Sequence, residues 1–189
     1  MSSGKVFLNY RRDDSAGHAG RLFDRLNARF PGQIFLDIAG LEPGVDFADE
    51  IDRVVGSCKV LIAVIGKDWL TTKDASGRRR LDVPGDFVRL EIGAALRRNI
   101  RVIPAIIGDA RLPTPEGLPP DLAPLCRRQA LQLNETSFDS DVSRLIRTLE
   151  TELAESSKPA ENSRRKHSRK AKKALAGCAD RSTSTTTFQ

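Results

Sequence analysis

The feature that most constrains this chain is a regular alternation. Between residues 5 and 153, short apolar runs and longer stretches of helical spacing trade places five times. Residues 5–10 read as a strand. Residues 15–30 follow as a helix, with Leu22, Leu26 and Phe30 recurring every fourth position and Asp14 or Ser15 as its natural N-cap. A second strand is expected over 34–38, and Asp46 is placed to cap a helix over 47–56. The run 59–66 is apolar almost throughout, the pattern of a strand covered on both faces. Next come a helix over 84–98 with Pro84 in its first turn, a strand over 101–108, a Pro-rich loop over 112–124 with room for one short helix, and a strand over 129–133. An amphipathic helix over 138–153 closes the series, with Phe138, Val142, Leu145, Leu149 and Leu153 on one stripe.

Strands that alternate with helices in this way imply a mostly parallel, doubly wound five-stranded sheet with helices on both faces. Sheets of this kind bind ligands beyond the carboxyl ends of their strands. The segments after Tyr10, Ile38, Gly66 and Gly108 are therefore where function is expected.

Charge divides the chain. Nine of its 31 Lys/Arg and two of its 25 Asp/Glu fall in residues 158–189, leaving 22 basic and 23 acidic residues before them. The overall +6 thus belongs to the tail, and the basic pI is no evidence of a nucleic-acid-binding fold. The expected division is a domain over 1–156 and a basic, Ser/Thr-rich tail over 157–189 with too few apolar anchors to order itself. Weak contact of that tail with nucleic acid or an anionic membrane is the minority expectation. The start of the chain carries no charged-then-apolar leader, and its longest apolar run, 60–65, is far shorter than the ~20 residues a span requires. A cytoplasmic location is the expectation. Cys58, Cys126 and Cys178 are widely spaced and odd in number, and read as structural thiols.

Several chemistries lack their residues. No G-x-G-x-x-G follows the first strand, no Walker A sequence occurs, and no Ser or Cys has a nucleophile-elbow context. His18 and His167 cannot make a metal site between them, so no metal is expected. Asp13 and Asp14 would suit a phosphate-accepting receiver domain, with Asp68 as a loose phosphoacceptor. The Lys such a domain needs after its fifth strand is replaced by Asn134, Glu135 and Thr136.

Three segments carry a family resemblance. The run from Val6 through Asn9, Tyr10, Arg11 and Arg12 to Asp14 resembles the first conserved box of Toll/interleukin-1 receptor (TIR) domains of bacterial type. The run 36–44, ending in Pro43 and Gly44, resembles their second box and BB loop. Phe87 followed four residues later by Glu91 resembles the aromatic-x-x-x-Glu motif of NAD-cleaving members. Asn9 stands where a Ser is usual and Phe87 where a Trp is common, and no third box is evident beyond Phe138. The resemblance covers residues 4–153 and implies a flavodoxin-like α/β fold. It also implies NAD glycohydrolase activity, with NAD as substrate rather than cofactor, Glu91 as catalytic carboxylate, and Tyr10, Arg11, Arg12, Trp69 and Phe87 as substrate-binding residues. In such domains Leu41, Pro43, Gly44 and Val45 of the BB loop would serve homotypic self-association. The alternative is a non-catalytic interaction module that signals by assembly alone.

The position of Glu91 supports a special role independently. At 100° per residue, Phe87, Val88, Leu90, Ile92, Ala94, Ala95 and Leu96 cover an apolar arc of about 240°, and Glu91 falls near its middle. A carboxylate there is either partly desolvated or opens into a cleft, unlike most helix glutamates. Pairing with Arg98 or Arg12 is the structural alternative. Trp69 has packing as its alternative role, and Asp13 and Asp14 have helix capping.

Overall fold

The computed structural model describes residues 5–36 and 46–155. The expected BB-loop residues Leu41, Pro43, Gly44 and Val45 and the expected tail over 157–189 lie outside the described residues. Five parallel strands form one sheet: β1 (Lys5–Asn9), β2 (Ile34–Phe35), β3 (Cys58–Ile65), β4 (Arg101–Ile107) and β5 (Leu131–Leu133), in the order β2-β1-β3-β4-β5. The described helices are α1 (Arg12–Arg29), α2 (Phe47–Gly56), α3 (Phe87–Arg97) and α4 (Phe138–Glu155). This is the flavodoxin-like arrangement. Strand order reverses between β1 and β3, so the crevice for a ligand lies beyond Asn9 and Ile65.

Alternation within each strand sorts the apolar runs into two cores. Val6 and Leu8 of β1, Val60, Ile62 and Val64 of β3, and Ile103, Ala105 and Ile107 of β4 face α1 and α4. Phe7, Leu61, Ala63, Ile65, Val102 and Ile106 face the opposite way, against α2 and α3. Both cores contain fully buried large aliphatics, each contributing roughly 1.5–3 kcal/mol by removal from water. The seamless apolar appearance of β3 follows from serving both layers at once.

Three helix starts differ in instructive ways. α2 begins as expected, with the Asp46 carboxylate accepting from the Ala48 N–H at 2.8 Å. α3 begins at Phe87, not in the region of Pro84, because Asp86 is its N-cap and accepts from the Arg89 N–H at 3.1 Å. Pro84 lies in the turn before it. α1 begins three residues early and bends at Ser15, where φ is −136° and ψ is 20°. Neither Asp14 nor Ser15 caps it in the expected way, since no side chain caps that end. Asp14 instead reaches across to the end of β3.

On the face of α3 that carries Arg89 and Arg97, opposite the apolar arc, Gly93 is buried. The segment after β4, which holds two 3-10 turns (Pro115–Gly117 and Ala123–Arg127), packs Leu118, Leu122 and Leu125 into the same core. From there Asp121 takes the Arg89 guanidinium in a two-pronged pair at 2.9 and 3.0 Å. No helix among the described residues is long and apolar enough to cross a membrane.

Candidate functional site

At the switch point three segments meet: the end of β1 with the head of α1, the turn after β3, and the first turns of α3. Asn9 is the last residue of β1 and is 1% exposed. Its Nδ2 donates to Glu91 Oε2 at 2.6 Å and lies 3.5 Å from the Val88 carbonyl oxygen. Glu91 is itself 7% exposed, so its carboxylate sits among buried groups at the sheet's carboxyl edge, not on a solvated helix face. Arg98, one of its two possible partners by sequence, pairs with Asp52.

Two residues along from Asn9, Arg11 is 1% exposed. Its Nη1 and Nη2 donate to Asp86 Oδ2 and Oδ1, each at 3.0 Å. Asp86 also accepts from Arg80 Nε at 3.2 Å and from the Arg89 N–H, which occupies the roughly four lone-pair sites a carboxylate offers. Asp86 is saturated. Arg80 extends the chain of charges to Asp13 at 3.2 Å. The expectation that Arg11 binds substrate is therefore corrected: its fork is committed to Asp86, where it fixes the head of α3 against the exit of β1. Arg12 is exposed at the start of α1, and Tyr10 is half-buried beside it.

Trp69 also departs from expectation. It is 1% exposed and belongs to the core shared with Val88 and Ile92, so its indole offers no accessible face for stacking. The sequence places it just after β3, but the chain there turns inward instead of lining the edge. Above that turn the Asp14 carboxylate accepts from the N–H of Gly66 at 2.9 Å and of Asp68 at 2.8 Å. A Cβ on Gly66 would fall 2.4 Å from Asp14 Oδ2, so only glycine admits this clip.

Phe87 is 46% exposed, one turn before Glu91, and its ring meets that of Phe47 at 5.5 Å between centroids, tilted by 55°. Phe47 is 42% exposed. These are the exposed large hydrophobic side chains among the described residues, and sequence reasoning missed Phe47. The available signal was an aromatic at the first position of a capped helix, directly after a loop at the binding edge. An open groove of about 290 Å³ lies elsewhere, lined by Arg21 and residues 135–140, and touches none of these side chains. Among the described residues no cluster of His, Cys, Asp and Glu is arranged to hold a metal.

Comparison with known proteins fits this architecture. The sequence profile of the TIR domain matches residues 6–146. The chain belongs to the TIR domain family. Among solved structures, the TIR domains of the activated Roq1 resistosome directly recognizing the pathogen effector XopQ align with a TM-score of 0.53 at 14% identity. That alignment covers 79% of this chain and 98% of theirs. A metazoan TIR-STING receptor from C. gigas in complex with 2',3'-cGAMP aligns with a TM-score of 0.47 at 19% identity, covering 73% of this chain and 38% of the receptor. The likeness to the Roq1 TIR domains is one of fold. No curated protein sequence matches significantly.

Proposed function

We propose that this TIR domain is an NAD glycohydrolase, releasing nicotinamide and yielding ADP-ribose or a cyclised form. The observation that carries this reading is the buried Glu91 carboxylate at the switch point, hydrogen-bonded from Asn9 at 2.6 Å. The scissile bond joins the nicotinamide nitrogen to ribose C1′. As it breaks, the bonding pair moves to the nitrogen and neutralises the pyridinium, while positive charge develops at C1′ and the ring oxygen. A fixed, poorly solvated carboxylate stabilises that charge more effectively than water does. Glu91 would hold the hydroxyls of the same ribose. Attack by water at C1′, with loss of a proton, gives ADP-ribose, and attack by a nucleophilic atom of the product's own adenine gives a ring. Phe87 would pack against the ribose or pyridine, and Tyr10 and Arg12 would line the pyrophosphate side, since a guanidinium forks onto phosphate oxygens. NAD is a substrate here.

The test is chromatography of NAD incubated with concentrated protein. Nicotinamide release is expected from the wild type, with a loss of about 100-fold or more in Glu91→Ala and Glu91→Gln whose circular dichroism is unchanged. Full activity in those folded variants would overturn the assignment.

A second reading, assembly without catalysis, draws on the exposed Phe47–Phe87 pair, an apolar patch suited to a protein partner. It requires that no NAD turnover occur at any concentration, and that Leu41→Ala or Pro43→Ala dissociate the protein in sedimentation.

A further inference from the structure

We infer that Asn9 is a positioning residue that holds the Glu91 carboxylate in its reactive orientation, an inference resting on the glycohydrolase reading. It begins from a misfit. Asn9 ends a strand whose three preceding residues, Val6, Phe7 and Leu8, are apolar and buried, and it is 1% exposed. Burying an amide costs free energy unless its polar atoms are hydrogen-bonded. Here Oδ1 is buried with no hydrogen-bond partner among the described residues, and Nδ2 has one strong acceptor, Glu91 Oε2. An aliphatic side chain of similar volume would avoid that cost. Asn9 is therefore a poor choice for packing, and what it contributes instead is a short bond to the one buried carboxylate proposed to act on substrate.

The geometry suits that task. Only the amide nitrogen can face a carboxylate, because the amide oxygen would repel it, so the assignment of Nδ2 follows from electrostatics. The Asn9 backbone is fixed by parallel pairing with Ala63 of β3. Its amide therefore extends from the rigid centre of the sheet to a helix 82 residues further along the chain. Glu91 has three side-chain torsions, and one strong donor on one oxygen removes most of that freedom before substrate arrives. The charged groups on the surrounding segments are Arg11, Arg12, Asp13 and Asp14 of the β1–α1 segment, Lys67 and Asp68 of the turn after β3, and Asp86 and Arg89 at the head of α3. Arg11 and Asp86 pair with one another.

Steady-state kinetics of nicotinamide release by the full chain test the assignment. Asn9→Leu should lower kcat by about 10- to 100-fold with KM within about threefold, while Tm falls only modestly, because removing the orphaned buried oxygen offsets part of the cost of withdrawing a donor from Glu91. Asn9→Ser, whose hydroxyl is too short to reach Glu91, should show the same split and serves if the leucine variant fails to fold. Asn9→Asp sets two carboxylates together, so its kcat should be lowest near neutrality and recover as the pH falls and the pair shares a proton. Asn9→Leu should show no such recovery. Wild-type kcat in folded Asn9 variants, alongside an inactive Glu91→Ala, overturns this inference and leaves the glycohydrolase reading intact. Loss of kcat in proportion to loss of Tm, with no acid recovery in Asn9→Asp, overturns it too. A wild type without turnover overturns the glycohydrolase reading, and this inference with it.

Discussion

The heads of α3 and α4 both carry buried acids, and the acids differ in where their partners come from. At α4, Asp141 is 5% exposed and closes on its own neighbourhood. It accepts from the Ser137 hydroxyl at 2.7 Å, the Asn134 N–H at 3.1 Å and Arg144 at 2.9 Å, all within seven residues. At α3, Asp86 and Glu91 take Arg11 from the exit of β1 and Asn9 from its last position, 75 and 82 residues away. A local acid of this kind secures a helix end and nothing else. The long-range pair ties a helix to the sheet at the point where the fold opens for a ligand, and so sets where the second acid stands relative to the crevice.

The largest effect should come from breaking the long-range tie. Asp86→Ala strands the Arg11 guanidinium without its partner at 1% exposure, and should cost about 3–5 kcal/mol in denaturant unfolding. A cost no greater than that of disrupting α4 would erase the distinction between the two ends.

Disrupting α4 by Asp141→Asn should cost about 1–2 kcal/mol at neutral pH. The Ser137 hydroxyl first, then the Asn134 N–H, hold the Asp141 carboxyl below its ordinary range. A depressed folded-state value means the stabilisation is complete above the unfolded carboxyl's titration near ~3.9. It is lost as pH falls through the lower folded value. The Tm difference between wild type and Asp141→Asn should therefore be widest above pH ~5 and narrow progressively in stronger acid. A difference constant with pH would show that the carboxylate's charge plays no part.

The smallest effect belongs to Arg80→Ala. Its side chain is 34% exposed and only supplements Asp86, so the loss should stay below about 1 kcal/mol by thermal melting. A larger loss would move the weight of the α3 network outward, from Arg11 to the surface.

Most of the architecture was legible because it is written in local periodicities. The bounds of α2 and the apolar continuity of β3 follow from the sequence, as does the presence of all five strands. The head of α3 was misplaced because Pro84 is an acceptable first-turn residue in isolation, whereas Asp86 wins through Arg11 after β1 and Arg80. For the site, Glu91 stood out as an acid within an apolar arc, a signal available in one helix alone. The burial of Arg11 and Trp69 had no local signal. A guanidinium and an indole after a strand look the same whether they turn outward to a ligand or inward to a carboxylate and a core.

The sequence by itself determined the β–α alternation, the parallel sheet and an acid in an apolar arc of the third helix, because each depends on spacings of two to four residues. Only the tertiary structure decided that Arg11 serves Asp86, that Trp69 fills the core, that Phe47 joins Phe87, and that Asn9 reaches Glu91. Those outcomes depend on which elements the sheet order brings together across tens of residues, and no spacing along the chain encodes such a distance.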